Sequence, residues 1–259
     1  MKFIDSHAHL SVDEIYMQID AIIENAKKHN VVNIVNVSGN VKEYQRALEI
    51  KKKYPFVFNV AATHPHDVEK EGDDNFSFFK NLAMKKEIKA IGEVGLDYHY
   101  SFSKKEIQKD FLSKYFELAL EADLPIVAHC RNAFEDFFEL ADKYYKLNDS
   151  QWGKLIVHCF SSDEKDLEEV NKRGWWVSYS GNITFKKEDK LREIVGKTNI
   201  NKLLVETDCP FLAPEGKRGR LNEPCNVIYV AQEIAKIKNI DIQNFTDIVY
   251  MNFLKFFNK

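Results

Sequence analysis

Residues 154–160 read Lys154-Leu155-Ile156-Val157-His158-Cys159-Phe160. Three branched apolar side chains in succession leave neither face of an extended segment polar. That pattern marks a strand of a parallel sheet covered by helices rather than a strand with one wet face. Leu203-Leu204-Val205 reads the same way. Outward from these two, short β-branched runs recur about every 25 to 35 residues. Strands are predicted near Lys2–His9, Val32–Val37, Val57–Thr63, Ala90–Val94, Pro125–His129, Leu155–Phe160, Trp175–Ser180 and Lys202–Thr207.

Between them lie segments of helical periodicity near Asp13–His29, Val41–Tyr54, Phe76–Lys86, Lys104–Ala122, Ala133–Tyr145, Glu164–Arg173 and Lys186–Val195, with two more near Val227–Lys238 and Asn244–Phe257. In the fourth, Ile107, Phe111, Tyr115, Leu118 and Ala122 fall on one stripe, and Ser103 with Glu106 reads as a capping box. Strand and helix alternate along all 259 residues without a Pro/Ser-rich linker. This predicts one domain over residues 1–259, of α/β class, folded as a single (β/α)8 TIM-type barrel; a doubly wound open sheet is the alternative.

Composition narrows the function. With 44% hydrophobic residues, few Gly or Pro and a formal charge of -3 from 37 Lys+Arg and 40 Asp+Glu, the chain is globular. It is ill suited to a sequence-independent electrostatic grip on long nucleic acid, so any contact with DNA must be local. The four cysteines form no CxxC pair, and the N-terminus lacks a basic segment followed by an apolar one. No run approaches the roughly 18 apolar residues of a membrane span. A cytoplasmic protein with no membrane contact is expected, and with no extended apolar interface a monomer is expected too.

The carboxyl ends of parallel barrel strands share one crevice. His7 and His9 end the first strand, Glu93 the fourth, His129 the fifth and His158 the sixth, while Asp208 closes the eighth. His7 and His9, two apart, project from the same face. Either alone would suit a structural histidine, but packing gives no reason to collect six titratable groups in one barrel mouth, and burying them unpaired is costly. They suit two divalent ions, whose four positive charges exceed the two from the carboxylates, leaving a site fit for an anionic phosphodiester. Zinc, manganese or magnesium would serve. Glu93, between Gly92 and Gly95, is the natural bridge between ions, and Glu206 would orient a ligand histidine from beneath.

DSHAHL (5–10), THPHD (63–67), GEVGLDY (92–98), PIVAHCR (125–131), HCFS (158–161), SYSGNITF (178–185), ETDCPFLAP (206–214) and RLNEP (220–224) together resemble the TatD family of metal-dependent deoxyribonucleases, in the amidohydrolase-like barrel group. The resemblance runs nearly the whole chain. It implies one metal on His7, His9, Glu93 and Asp208 and a second on Glu93, His129 and His158. It also implies two-metal hydrolysis of DNA phosphodiester bonds by a bridging hydroxide, with Asp208 and Glu93 catalytic and 3'-to-5' exonuclease activity in some members. Ser162 and Ala62-Thr63 stand where the family often has glycine, which touches loop geometry and no ligand.

Of His64 and His66, flanking Pro65, only His64 is expected to face the crevice, as a contact to substrate. Arg131 follows the His129 strand and Arg220 ends the loop Lys217-Arg218-Gly219-Arg220; both are candidate contacts to the substrate backbone. Phe102, Phe160, Phe185 and Phe211 adjoin the predicted loops and could stack bases. Cys130, Cys159 and Cys209, each following a ligand, are expected to turn away from the crevice. The rival readings are an ester or amide hydrolase, such as a deacylase, and a non-catalytic barrel scaffold.

Overall fold

The apolar runs become short, largely buried strands. The computed structural model describes residues 1–145 and 153–257. In it β1 (Phe3–Ala8), β2 (Val31–Ser38), β3 (Val57–Ala61), β4 (Ile91–Asp97), β5 (Ile126–Arg131), β6 (Leu155–Val157), β7 (Trp176–Tyr179) and β8 (Leu203–Val205) pair in that order, all parallel. At the carboxyl ends the chain after β8 returns to β1. Asp208 N–H donates to the His7 carbonyl at 2.9 Å and His9 N–H to the Cys209 carbonyl at 2.8 Å, and the Ser6 hydroxyl donates to the Val205 carbonyl at 3.0 Å. The sheet is thus a nearly closed TIM barrel.

Its outer layer comprises α1 (Asp13–Tyr16), α2 (Ile19–Lys28), α3 (Val41–Lys53), α4 (Val68–Met84), α5 (Lys105–Glu121), α6 (Phe134–Tyr144), α7 (Glu164–Lys172), α8 (Asp189–Lys197), α9 (Val227–Ile237) and α10 (Ile242–Phe257). At the start of α3 the Asn40 side chain accepts from Glu43 N–H at 3.0 Å while Glu43 accepts from Gly39 N–H at 2.7 Å. This reciprocal cap fixes the loop that follows β2. Helix α10 covers the amino ends of the strands: Asn252 Nδ2 donates to the Ile200 and Leu203 carbonyls at 2.7 and 2.9 Å, and Phe253 and Phe256 pack on Phe58 and Trp176. The opposite mouth stays open.

Three local expectations give way to tertiary structure. The single helix over 13–29 is two, because Gln18 leaves helical geometry at φ -129° between them. Helix α4 begins at Val68, not near Phe76, and carries Gly72 in its interior. There the Phe111 ring of α5 occupies the space a Cβ would take, 2.3 Å away, so packing outweighs glycine's poor helix propensity. Ser103 does not cap α5. Its hydroxyl donates to the His66 carbonyl at 2.7 Å and accepts from Glu69 N–H at 3.3 Å, tying the loop before α5 to the one after β3. No helix among the described residues is long and apolar enough to cross a membrane.

Candidate metal centre

A cavity of about 740 Å³ opens at the carboxyl ends of the strands. His7, on β1, is fully buried beneath it, while His9, one residue beyond the strand, reaches its wall. Glu93 comes from the interior of β4, and His129 from β5. His158 lies just past β6. Asp208 lies past β8 in the left-handed region, φ 55°, which a short polar side chain tolerates. Buried Asp5 holds that turn, accepting from Thr207 N–H at 2.9 Å and its hydroxyl at 2.5 Å. Burial pushes the Asp5 carboxyl up to about 8 despite those bonds.

The geometry around Glu93 is divided. Its Oε2 faces His7 Nε2 at 3.2 Å and His9 Nε2 at 3.7 Å. Its Oε1 faces His158 Nε2 at 2.6 Å, His129 Nδ1 at 3.0 Å and His64 Nε2 at 3.3 Å. On the first side Asp208 Oδ1 is 3.3 Å from His9 Nε2 and 3.8 Å from His7 Nε2. The two Nε2 atoms of His7 and His9 face each other across 3.3 Å. On the second side His158 Nε2 and His129 Nδ1 do so across 3.4 Å. One proton can satisfy only one such nitrogen pair, whereas a cation taking four or more ligands satisfies every lone pair aimed at it. The donor set therefore fits divalent metal, with His7, His9 and Asp208 in one group of possible ligands, His7, Glu93 and His158 in a second, and His64, His66 and His129 in a third.

The electrostatics agree. Burial by itself would push the Glu93 carboxyl up, yet His158, His64 and His7 draw it well below the carboxylate range. Asp208 is held down against burial by His9 and His7. Burial works against a charged His158, but Glu93 and Glu206 carry it well above the ordinary imidazole value. His7 stays low through burial and neighbouring His158. Ionised carboxylates thus gather positive charge around themselves, the role a bound cation takes over.

Residues 4–258 match the family model described as TatD related DNase. The chain belongs to this family. The uncharacterized metal-dependent hydrolase YabD of Bacillus subtilis is 35% identical over 253 residues, 98% of each chain. The 3'-5' ssDNA/RNA exonuclease TatD of Erwinia tasmaniensis is 29% identical over 246 residues, covering 92% of this chain and 93% of its own. In fold, the crystal structure of YjjV, a TatD homologue of Escherichia coli, superposes with a TM-score of 0.92 at 23% identity over 99% of this chain and 98% of its own.

Around the ligand candidates of this TatD-family chain, Glu206 is fully buried. It accepts from Cys159 N–H at 2.8 Å and the Ser178 hydroxyl at 2.5 Å, with His158 Nδ1 at 3.4 Å. Sequence reading missed Asp97. Its Oδ2 meets both His129 Nε2 and His66 Nε2, at 3.0 and 2.9 Å, and its Oδ1 accepts from His99 N–H at 2.8 Å and Tyr100 N–H at 3.1 Å. Against burial, His129 and His66 hold this carboxyl below its usual range. Strand alternation carried the signal, since Glu93, Gly95 and Asp97 share one face of β4. Asn182, also missed, lines the cavity with its buried Oδ1 lacking a partner among the described residues.

Both His64 and His66 line the cavity, not His64 alone, because Asp97 turns His66 inward. Arg131 borders it, with its guanidinium 5.1 Å from the Tyr100 ring centre. Arg220 is exposed in the loop beyond β8 and is not among the lining residues. Of the three cysteines only Cys209 is fully buried; Cys130 and Cys159 border the cavity. Cys159 leaves the pleat at φ 46°, where face alternation no longer applies. Thr63 bonds through N–H and hydroxyl to the Tyr115 hydroxyl at 3.0 and 2.9 Å.

Proposed function

We propose that this protein hydrolyses phosphodiester bonds of DNA, from or near a strand end, with two divalent cations at the cleft. His7, His9, Glu93 and Asp208 would hold one, and Glu93, His129 and His158 the other. The observation that carries the reading is the divided carboxylate of Glu93, one oxygen facing His7 and His9 and the other His129, His158 and His64. Bound there, the cations would acidify a water and offset charge building on the phosphoryl oxygens. Imidazole and carboxylate donors suit zinc or manganese, and magnesium less well.

The chain's own groups do the rest. Asp208, at the cavity wall, takes up the water's proton at its carboxylate. Glu206 keeps a proton on His158 Nδ1 and Asp97 keeps one on His129 Nε2, so each ring presents its other nitrogen as a donor lone pair. His64 Nε2 and Arg131 face the substrate phosphate, and Arg220 meets a nucleotide further along the strand. Without divalent cations the cleft would hold such a substrate less well, since Glu43, Asp67, Glu93, Asp97 and Asp208 line it beside Arg131 and the histidines. The name of the Erwinia relative, an exonuclease of ssDNA and RNA, supports a nucleic-acid substrate. We read the working unit as a monomer.

The test assays metal-loaded protein on an end-labelled oligonucleotide beside ester and amide panels, with His129→Ala and Asp208→Ala as controls. Shortening of the oligonucleotide that each substitution lowers by about 10²-fold or more is expected, as for loss of one group stabilising developing charge. Phosphodiester turnover no higher than in the controls, with turnover in a panel, would replace the nuclease reading by an ester or amide hydrolase.

A further inference from the structure

Three exposed aromatic side chains gather where the cleft meets solvent. Tyr100, Phe102 and Phe211 are 43%, 60% and 57% exposed, and all three line the metal cavity. A phenylalanine more than half in water forgoes the burial that stabilises its ring elsewhere in this chain. The other exposed apolar side chains on helices, Leu48, Met84, Tyr229 and Met251, are dispersed over α3, α4, α9 and α10.

The three rings form two walls on opposite sides of the ligand cluster. On one side the Tyr100 and Phe102 rings lie 5.2 Å apart, tilted by 32°, and both pack on His66, at 5.4 and 4.9 Å. His66 is bonded to Asp97, which also holds His129. This wall is therefore tied to the half of the centre built on His129. On the other side Phe211 packs edge-on against His9 at 5.8 Å, beside the half built on Asp208. The Arg131 guanidinium over Tyr100 adds a cation to the first wall.

We infer that the two walls are base-stacking subsites, Tyr100–Phe102 for the nucleotide on one side of the scissile phosphate and Phe211 for the nucleotide on the other. The inference rests on the phosphodiesterase reading and adds how the bases on either side of the cleaved phosphate are held. A base inside a duplex has both faces covered by its neighbours, and freeing it costs unstacking and unpairing energy. A single-stranded end offers those faces at once. The fit is tolerant of sequence, because every base has a π-face.

The test compares kcat/KM on labelled single-stranded oligonucleotides that carry natural bases with the value on strands holding a tetrahydrofuran abasic unit immediately before or after the cleaved phosphate. In the native protein each abasic unit should lower kcat/KM by about 5- to 150-fold, the range spanned by one base–aromatic stack. Phe102→Ala should bring the ratio for one of the two positions towards 1 and keep the other, with Phe211→Ala doing the reverse, and Phe102→Trp should restore the first ratio. Thermal melts of each variant report folding, and a variant that fails to fold is replaced by Phe102→Leu or Phe211→Leu, which keep bulk without a π-face. Abasic and natural strands cleaved alike by the native protein, or ratios that both substitutions leave standing, would overturn the stacking walls while sparing the nuclease. Absence of turnover on every strand would sink both.

Discussion

Glu93 and Asp97 divide the labour of one strand face. Glu93 faces both halves of the histidine cluster, whereas Asp97 touches neither expected metal position and acts through the far nitrogen of His129. Loss of such an outer carboxylate costs about 10- to 100-fold in metal affinity. Asp97→Asn should accordingly weaken metal binding by that factor, read by titration of the metal-free protein. Cobalt substitution gives a second readout, since a reoriented His129 alters the visible spectrum. Affinity and spectrum both unchanged would confine Asp97 to holding the turn at His99 and Tyr100. The residue escaped sequence reading because its partners, His66 and His129, are 31 and 32 positions away and meet it only once β3, β4 and β5 lie side by side.

At the scale of elements, β4 and β5 set the site through a close approach. Gly95 has φ +150°, and a Cβ there would fall 1.8 Å from the His129 carbonyl oxygen. The glycine is what allows β5 to bring His129 against Glu93. Gly95→Ala should lower the melting temperature and the metal content together. Gly174→Ala offers the contrast: φ is +63° but nothing lies within 4 Å of the added carbon. It should cost on the order of 1 kcal/mol in stability and leave metal content as it is. Equal metal content in the two variants would show that the β4–β5 approach does not position the centre. The same scale explains the sequence-level misses. The helix predicted near Phe76–Lys86 starts at Val68 instead, with Phe111 filling the space beside Gly72, and Ser103 reads as a cap until the neighbouring loop claims its hydroxyl.

For the molecule as a whole, the proposed metal binding would be coupled to the fold. The barrel closes where Asp208 and Cys209 bond back to His7 and His9, so three of the proposed ligands also join the first strand to the last. A cation present at about a hundred times its Kd adds about 2.7 kcal/mol to stability. Chelation should therefore lower the melting temperature of the native protein, and Glu93→Gln should melt alike with and without metal. Chelation should also weaken oligonucleotide binding on the order of tenfold or more as the acidic cleft loses its countercharge. A native melting temperature indifferent to chelation would place the cation outside the structure that closes the barrel.

Periodicity alone supplied the alternation of strand and helix, since apolar runs such as 155–157 and 203–205 are stable only inside a covered parallel sheet. The six ligand candidates were legible because each lies on or just past a predicted strand, and strand ends in a barrel share one mouth. Spacing along the chain could not supply pairing across it. Which oxygen of Glu93 meets which histidine, the turning of His66 by Asp97, and the two aromatic walls all depend on distances between strands. Some of those distances arise when neighbours such as β3, β4 and β5 pair, and others, such as Glu93 to His7, only when the sheet curves round and β8 meets β1.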